Sequence, residues 1–162
     1  MNILFCSAGR RVELLKDFRK SMDEDDRIIA ADLSNLAPAL YVADKHYLVS
    51  RIDDPNYLDA ILDICRKEKI NAVTTLIDPE IELLAKNRAR FEEIGVEVLA
   101  PYAETAELCF DKFKMYQYLT AHDIPTPRWL PLRAAALHFL CSSSRERGAA
   151  AWVLEKCRMR KR

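Results

Sequence analysis

The apolar residues of this 162-residue chain form two kinds of pattern, which alternate from the N-terminus onward. Ile3 to Ser7 is a short, nearly continuous apolar run, as expected for a parallel strand that is buried on both faces. In the following segment Leu14, Leu15, Phe18 and Met22 recur at the spacing that places them on one face of a helix. The chain is therefore predicted to begin with a buried strand and an amphipathic helix.

The alternation of strand and helix patterns continues to about residue 100. Four further strands are predicted, at residues 27–32, 46–50, 72–76 and 97–100. Helices are predicted between them, at residues 37–43, from Pro55 onward, and from Asp78, which has the properties of an N-cap and is followed by a proline. Strands that alternate with helices at this spacing predict an α/β fold, with a Rossmann-like, doubly wound parallel sheet over residues 1–103.

The pattern changes after the predicted sheet. Two helices are predicted, at Glu104 to Cys109 and at Asp111 to about Ala121, and the two prolines of Ile124 to Pro127 then impose an extended exit. After Arg128 there are triplets of alanine or serine, at residues 134–136, 142–144 and 149–151, and no strand pattern recurs. We therefore predict a linker over residues 104–128 and a helical, poorly packed tail over residues 129–162.

Charge is distributed unevenly along the chain. The formal net charge is zero, but residues 133–162 carry eight Lys or Arg against two Asp or Glu, a balance of +6. The preceding residues must therefore carry about −6. Such an acidic body argues against nucleic-acid binding, which needs a clustered positive face.

The five cysteines form no Cys-x-x-Cys pair and have no zinc-ligand spacing. The first strand is too short and too poorly flanked to be a secretory signal, and no apolar run approaches the roughly 18 residues of a membrane span. The three histidines are scattered along the chain. We therefore expect a cytoplasmic protein with reduced thiols, no metal site and no membrane association.

Polar residues follow the end of the first predicted strand, and ligands of doubly wound sheets bind at the carboxyl ends of strands. Ser7 and Gly9 would supply a close-approach turn and backbone donors. Arg10 and Arg11 come next, and their guanidinium groups suit a carboxylate or a phosphate. The alternative is that both arginines are surface charges at the start of a helix. A small-molecule substrate is the expected occupant of this crevice.

Acidic residues follow the second and fourth predicted strands. Asp32 either contacts a ligand, as the acid on the ribose does in dinucleotide-binding folds, or caps the following turn. Asp78 is expected mainly as a helix N-cap, and Glu80 is a candidate to face an amine or hydroxyl of the substrate. The first turn lacks a GxGxxG pattern, so the sequence does not support pyrophosphate binding, and a nicotinamide-dependent oxidoreductase is disfavoured.

The segment from Asp111 to Pro127 carries a more specific pattern. It begins with an Asp-Lys pair, continues through a helix that contains Leu119, and ends after a short turn in an aliphatic residue, Pro, x, Pro. This pattern resembles the junction between the N-terminal domain and the nucleotide-binding domains of ATP-grasp enzymes. The segments Ser7 to Arg11 and Asp78 to Glu80 are similar to those of a subgroup that includes PylC and short carbamoyl-phosphate-synthase-like proteins. The resemblance covers residues 1–128.

The resemblance implies the N-terminal, substrate-side domain of a carboxylate–amine ligase, in which ATP phosphorylates a carboxylate and an amine displaces the phosphate. It also implies that Lys112 contacts a nucleotide phosphate, whose charge an ammonium offsets. The alternative is a solvated lysine beside a capping Asp111. ATP and Mg²⁺ are the cofactors of the complete enzymes, and neither is expected to bind tightly to this chain. Two other functions stay open, a stand-alone small-ligand-binding module and a split subunit whose partner chain supplies the ATP-grasp fold.

Later landmarks of the family, a lysine-bearing strand and a glycine-rich loop, are missing from the translated sequence after residue 128. Codons for Phe139 to Glu146 can nevertheless be chosen so that the DNA encodes Phe-Pro-Leu-Leu-Val-Lys-Pro-Arg one frame over. Codons for residues 147–153 can likewise yield Gly-Arg-Ser-Gly-Met-Gly, and the Trp152 codon followed by Val153 forces the final glycine. We therefore expect residues 129–162 to be an out-of-frame tail, with a natural short C-terminal helix as the alternative.

We predict that the gene, read one frame over from the His138 codon, encodes the lysine-bearing strand and the glycine-rich loop. Sequencing the DNA downstream of the Pro127 codon tests this directly. An alternative frame without the glycine-rich loop would rule out the out-of-frame hypothesis.

Overall fold

The computed structural model describes residues 1–127, and its five strands form one parallel sheet in the order β3-β2-β1-β4-β5. The strands are β1 (Asn2–Cys6), β2 (Arg27–Asp32), β3 (Lys45–Leu48), β4 (Ala72–Thr75) and β5 (Glu97–Val98). Every predicted strand is present, and no strand end differs from its predicted position by more than two residues. The predicted α/β fold with a parallel sheet is therefore confirmed.

Helices connect the strands, and two more follow the last strand of the described residues. They are α1 (Val12–Lys20), α2 (Tyr57–Glu68), α3 (Asp78–Lys86), α4 (Arg88–Glu92), α5 (Ala103–Phe110) and α6 (Lys112–Ala121), with a 3-10 helix at Pro38–Tyr41. The sequence did not predict α4, which is five residues long and buries a single side chain, Phe91. The prediction that Asp78 is an N-cap was wrong, because Asp78 is the first residue of α3 and Ile77 occupies the cap position.

The sheet has a hydrophobic core on each face, because successive strand residues point to opposite sides. Leu4 and Ile29 pack on the side of α2, α3 and α4. Ile3 and Ile28 pack on the side of α1 and the 3-10 helix. Burial on both faces is the physical reason why these strands are nearly continuous apolar runs in the sequence.

The apolar face of α1 is only partly buried. Of the four residues predicted to share that face, Leu15 is fully buried, whereas Leu14 and Phe18 are each 36% exposed. The Phe18 ring still meets the Phe5 ring edge-on, with centroids 4.9 Å apart. This face of the helix therefore lies at the margin of the core.

The compact unit that contains the sheet extends from Met1 to Met115, and a second unit begins at Tyr116. Of the second unit the structure describes residues 116–127, in which the C-terminal half of α6 lies. The predicted out-of-frame tail, residues 129–162, lies outside the described residues. Within residues 1–127 there is no helix that is both long enough and apolar enough to cross a membrane.

A buried carboxylate stabilises the amino-terminal edge of the sheet. Glu68 is the last residue of α2, where the helix dipole disfavours a negative charge. Its carboxylate accepts hydrogen bonds from Lys45 Nζ, at 2.6 Å, and from the Tyr47 hydroxyl, and Arg27 Nη1 lies 3.9 Å away. The hydrogen bond from Lys45, followed by that from Tyr47, holds the pKa of Glu68 below its ordinary value, against the opposing effect of burial. These three donors therefore offset the unfavourable effect of the helix dipole on the negative charge of Glu68.

We expect Glu68→Gln to destabilise the fold in a pH-dependent way. Because the folded-state pKa is lowered, the contribution of Glu68 is present above its unfolded pKa of about 4.3. That contribution is lost as the pH falls through the folded-state pKa. The variant should melt roughly 5 °C lower than the wild type at neutral pH, and the difference should close in acid, as measured by circular dichroism.

Glu13→Gln is the matched control for this experiment. Glu13 is 79% exposed and pairs with Lys16 on the surface, so its replacement should change the melting temperature little at any pH. A difference between wild type and Glu68→Gln that persists unchanged in acid would contradict the prediction.

Candidate functional site

The turn after β1 has an unusual backbone conformation. Ser7 and Gly9 both have positive φ angles, of 48° and 53°. Gly9 adopts this region without strain, whereas a serine there is uncommon and marks a position held by its surroundings. The Ala8 N–H donates to the Ala31 carbonyl at 3.2 Å, which fixes the turn to the neighbouring strand β2. The predicted turn is therefore present, and its close approach to a ligand stays a prediction.

Asp32, at the end of β2, ties this turn to the next loop. Its Oδ2 accepts a hydrogen bond from the Gly9 N–H at 2.7 Å, and its Oδ1 accepts one from the Ser34 N–H at 3.0 Å. Of the two alternatives for Asp32, the structure shows the turn-capping contacts, and a ligand contact stays a prediction. Because Asp32 already occupies the Gly9 donor, the turn is poorly suited to bind a pyrophosphate.

Glu80 is fully buried at the start of α3 and lies behind the crevice. Its carboxylate accepts hydrogen bonds from the hydroxyl groups of Tyr57 and Thr75. Burial, together with the neighbouring Cys6 and Glu80, raises the pKa of the Tyr57 hydroxyl, which therefore stays protonated and donates. Burial likewise raises the pKa of the Cys6 thiol, so this cysteine is no nucleophile. Glu80, which was predicted to face the substrate, therefore accepts a hydrogen bond from Tyr57 and holds this side chain in place.

The two arginines after the turn are exposed, and within residues 1–127 neither forms an ion pair. Arg11 occupies the N-cap position of α1 but makes no side-chain cap. A cation at a helix N-terminus is disfavoured by the helix dipole, so helix stability does not explain the residue. Arg10 and Arg11 therefore stay candidates for an anionic ligand.

A pocket that encloses about 210 Å³ lies at the carboxyl ends of β1 to β4, and we call it the crevice pocket. Ser7 lies on its wall, together with Tyr57 and two residues that follow β3, Ser50 and Arg51. Tyr57, Ser50 and Arg51 were not predicted from the sequence. The position of Ser50 and Arg51 could have revealed them, because the carboxyl end of β3 lies at the same sheet edge as those of β1 and β2.

The rest of the crevice pocket is aliphatic. Leu33 follows β2, Val49 and Ile52 follow β3, and Ile77 follows β4. Leu33 is 57% exposed, so part of this apolar lining is open to solvent. The pocket thus combines an apolar wall with three hydroxyl groups and one guanidinium group.

Asp78 and Lys112 lie together at a second, smaller pocket of about 120 Å³, which is otherwise lined mainly by apolar residues of α3 and α5. Lys112 is exposed, and its Nζ donates to the Cys109 carbonyl at 2.9 Å. Asp111 caps α6, because its Oδ1 accepts the N–H groups of Phe113, at 2.9 Å, and Lys114, at 3.1 Å. The described contacts of Lys112 are those of a solvated lysine beside a capping aspartate, and its phosphate contact stays a prediction.

The predicted site residues therefore lie at two separate places in the structure. Gly9 and Asp32 are joined by a hydrogen bond, Ser7 lies in the same turn and lines the crevice pocket, and Glu80 supports the same edge through Tyr57. Asp78 and Lys112 belong to the second pocket. Among residues 1–127, no group of three or more His, Cys, Asp or Glu side chains is placed to hold a metal ion.

Comparison with known proteins identifies the domain. Residues 3–99 match the model of the family described as PylC-like, N-terminal domain. A phosphoribosylamine–glycine ligase from Chlorobaculum tepidum is 36% identical over 85 residues, which are 51% of this chain and 20% of the relative.

Solved structures show the same fold. N5-carboxyaminoimidazole ribonucleotide synthetase from Thermotoga maritima aligns with a TM-score of 0.58 at 20% identity, over 87% of this chain and 35% of that one. The N5-carboxyaminoimidazole synthetase from Staphylococcus aureus, complexed with ADP, aligns with a TM-score of 0.56 at 13% identity, over 88% and 35%. The chain spans about a fifth of the curated relative and about a third of each structure. It belongs to the PylC-like N-terminal domain family and corresponds to the N-terminal domain of an ATP-grasp-family ligase.

Proposed function

We propose that this chain is the substrate-side domain of an ATP-grasp carboxylate–amine ligase, of the carbamoyl-phosphate-synthase-like kind, and that it is inactive alone. The crevice pocket is the observation that carries the proposal, because it places hydroxyl and guanidinium groups at the edge where doubly wound sheets bind ligands. In such a ligase a substrate carboxylate attacks the γ-phosphate of ATP, ADP leaves, and an amine then displaces phosphate from the acyl phosphate.

The crevice residues have two kinds of role in this proposal. Ser7, Arg10 and Arg11 contact the substrate, since they lie on or beside the exposed turn after β1 and are available to a ligand. Asp32 and Glu80 hold the walls, because their carboxylate oxygens already accept hydrogen bonds from neighbouring loops and side chains. Because these walls are already held in place, they orient the substrate without having to rearrange when the substrate binds.

The Lys112 ammonium meets only one requirement of an ATP site, a positive charge near a phosphate. It can offset the charge of a phosphate, but the second pocket is small and mainly apolar, and the Asp78 carboxylate at its rim repels phosphate. Phosphoryl transfer needs several cationic groups and bound metal around the same phosphate. We therefore propose that ATP and Mg²⁺ are held mainly by residues of an ATP-grasp domain, with Lys112 as a single contact.

A stand-alone binding module, or a split subunit that joins a partner ATP-grasp chain, is the second candidate. The observation in its favour is that the crevice pocket is built entirely within the compact unit from Met1 to Met115. Such a pocket can bind a ligand without a further domain. A neighbouring gene that begins with the lysine-bearing strand, and whose product co-purifies with this chain, would favour the split subunit.

We expect the purified 162-residue chain to release neither ADP nor phosphate from Mg-ATP, with or without a mixture of amino acids. A coupled assay for ADP and a colorimetric assay for phosphate measure this. Lys112→Ala is the test variant, and Lys114→Ala is its matched control, because Lys114 lies two residues away and pairs with Glu107. Turnover by the wild type that Lys112→Ala abolishes and Lys114→Ala retains would overturn the proposed inactivity.

Glu80→Gln tests whether Glu80 is a supporting residue. The amide keeps one acceptor oxygen, but its NH₂ group lies against one of the two hydroxyl groups that donate to Glu80 in the wild type. We therefore expect the free energy of unfolding to fall by about 1 to 3 kcal/mol. Urea denaturation measures this loss. Glu82→Gln is the control, because Glu82 forms a surface pair with Lys86 on the same helix and should matter little. Unchanged stability in Glu80→Gln would contradict the supporting role.

A further inference from the structure

Building on the proposed phosphate contact of Lys112, we propose that Arg88 is a positioning residue for Lys112. It acts through residues 99–102, which connect β5 to α5 and which we call the β5–α5 segment. By this segment the chain leaves the sheet and reaches the helix that precedes Lys112. Arg88 holds the path at two backbone carbonyl groups and at one aromatic ring.

Two hydrogen bonds from Arg88 hold the backbone where it leaves the sheet. β5 is only two residues long, and just after it the Leu99 carbonyl accepts a hydrogen bond from Thr74 Oγ1 at 3.1 Å. The carbonyl groups of Val98 and Ala100, on either side of Leu99, accept hydrogen bonds from Arg88 Nη1, at 2.8 Å, and Nη2, at 2.6 Å. Since β5 lies at the edge of the described sheet, these bonds take the place of a neighbouring strand.

Helix stability does not explain the presence of Arg88. It is the first residue of α4, where the helix dipole disfavours a cation. In the part of the chain that the structure describes, Arg88 forms no ion pair, and its buried Nε has no hydrogen-bond partner. A partly buried charge is costly unless hydrogen bonds compensate it. The two carbonyl groups provide this compensation, and hydrogen bonds from a charged donor are stronger than those between neutral groups.

The Tyr102 ring makes a further contact with the same guanidinium group. Its centroid lies 5.3 Å from Arg88 Cζ, within the range of a cation–π interaction. Tyr102 is 76% exposed, so hydrophobic burial contributes little to holding the ring. Tyr102 is also the N-cap residue of α5, and its carbonyl accepts the Ala106 N–H at 2.9 Å. Arg88 therefore holds the residue from which α5 begins.

The position of α5 determines that of Lys112. Only Asp111 separates α5 from α6, whose first residue is Lys112. The Lys112 Nζ donates to the Cys109 carbonyl, in the last turn of α5. Pro101, in the β5–α5 segment, lines the second pocket together with Lys112. A shift of the segment would therefore change both a wall of that pocket and the place of its ammonium group.

Hydrogen exchange of the 162-residue chain, measured by mass spectrometry, tests the proposal with Arg88→Gln, which removes both Nη groups and the charge. We expect amide exchange over residues 99–110 to rise about tenfold or more, because hydrogen bonds to a charged group oppose local opening. Exchange in β1, β2 and β4 should stay unchanged. In a proton–nitrogen correlation spectrum the Lys112 amide signal should shift, although the described hydrogen bonds of Arg88 do not include Lys112.

Arg90→Gln is the matched control, because Arg90 lies on the same helix and pairs with Asp59 at 2.6 Å on the surface. It should change neither the exchange over residues 99–110 nor the Lys112 signal. Tyr102→Leu is a second variant, which removes the ring and keeps the two carbonyl hydrogen bonds. It should raise exchange over the same residues to a smaller extent, and it decides the outcome if Arg88→Gln does not fold.

Unchanged exchange over residues 99–110 in Arg88→Gln, or an equal rise in Arg90→Gln, would overturn the inference. A Lys112 signal that stays in place would also overturn it, because Arg88 would then stabilise the β5–α5 segment without positioning the lysine. If Arg88→Gln does not fold, unchanged exchange in Tyr102→Leu has the same consequence. These measurements contain no ATP, so their failure would reject the role of Arg88 and leave the ligase proposal standing. Unaided turnover of ATP would do the reverse.

Discussion

The geometry of the crevice depends on the central position of β1 in an all-parallel sheet. The chain leaves β1 toward β2 and β3 on one side, and returns to β4 and β5 on the other. The loops after β1 and β4 therefore diverge at adjacent strand ends, and the space between them cannot be filled by either connection. The crevice pocket lies at this place, and the loops after β2 and β3 supply the rest of its wall.

The carboxylates at this edge of the sheet accept hydrogen bonds from the protein itself, whereas the Arg10 and Arg11 side chains are exposed to solvent. Asp32 connects two loops through backbone N–H groups, and Glu80 supports Tyr57 from behind. The buried carboxylate of Glu80 and the partly buried one of Asp32 are costly unless they are hydrogen-bonded, which explains why each oxygen has a donor. Arg10 and Arg11, which are exposed at the same edge, form no ion pair within residues 1–127, so they stay candidates for an anionic ligand.

The family match and the junction pattern concern different parts of the chain. The matched residues, 3–99, contain the sheet and the crevice, whereas the segment from Asp111 to Pro127 follows them. The sheet domain therefore establishes the family without the junction. The junction adds the expectation of a nucleotide-binding domain, and Lys112, its charged residue, lies at a pocket separate from the crevice.

Apart from the short α4, the sequence by itself determined the order of strands and helices and the parallel sheet. A strand buried on both faces leaves a continuous apolar run, and a helix buried on one face leaves a periodic pattern. It also located the turn from Ser7 to Gly9, which follows a strand end. Only the tertiary structure showed that Glu80 faces Tyr57, and that Arg51 and Leu33 share a wall with Ser7. These contacts join residues far apart in the chain, so they depend on how strands and loops pack in space, which no local pattern records.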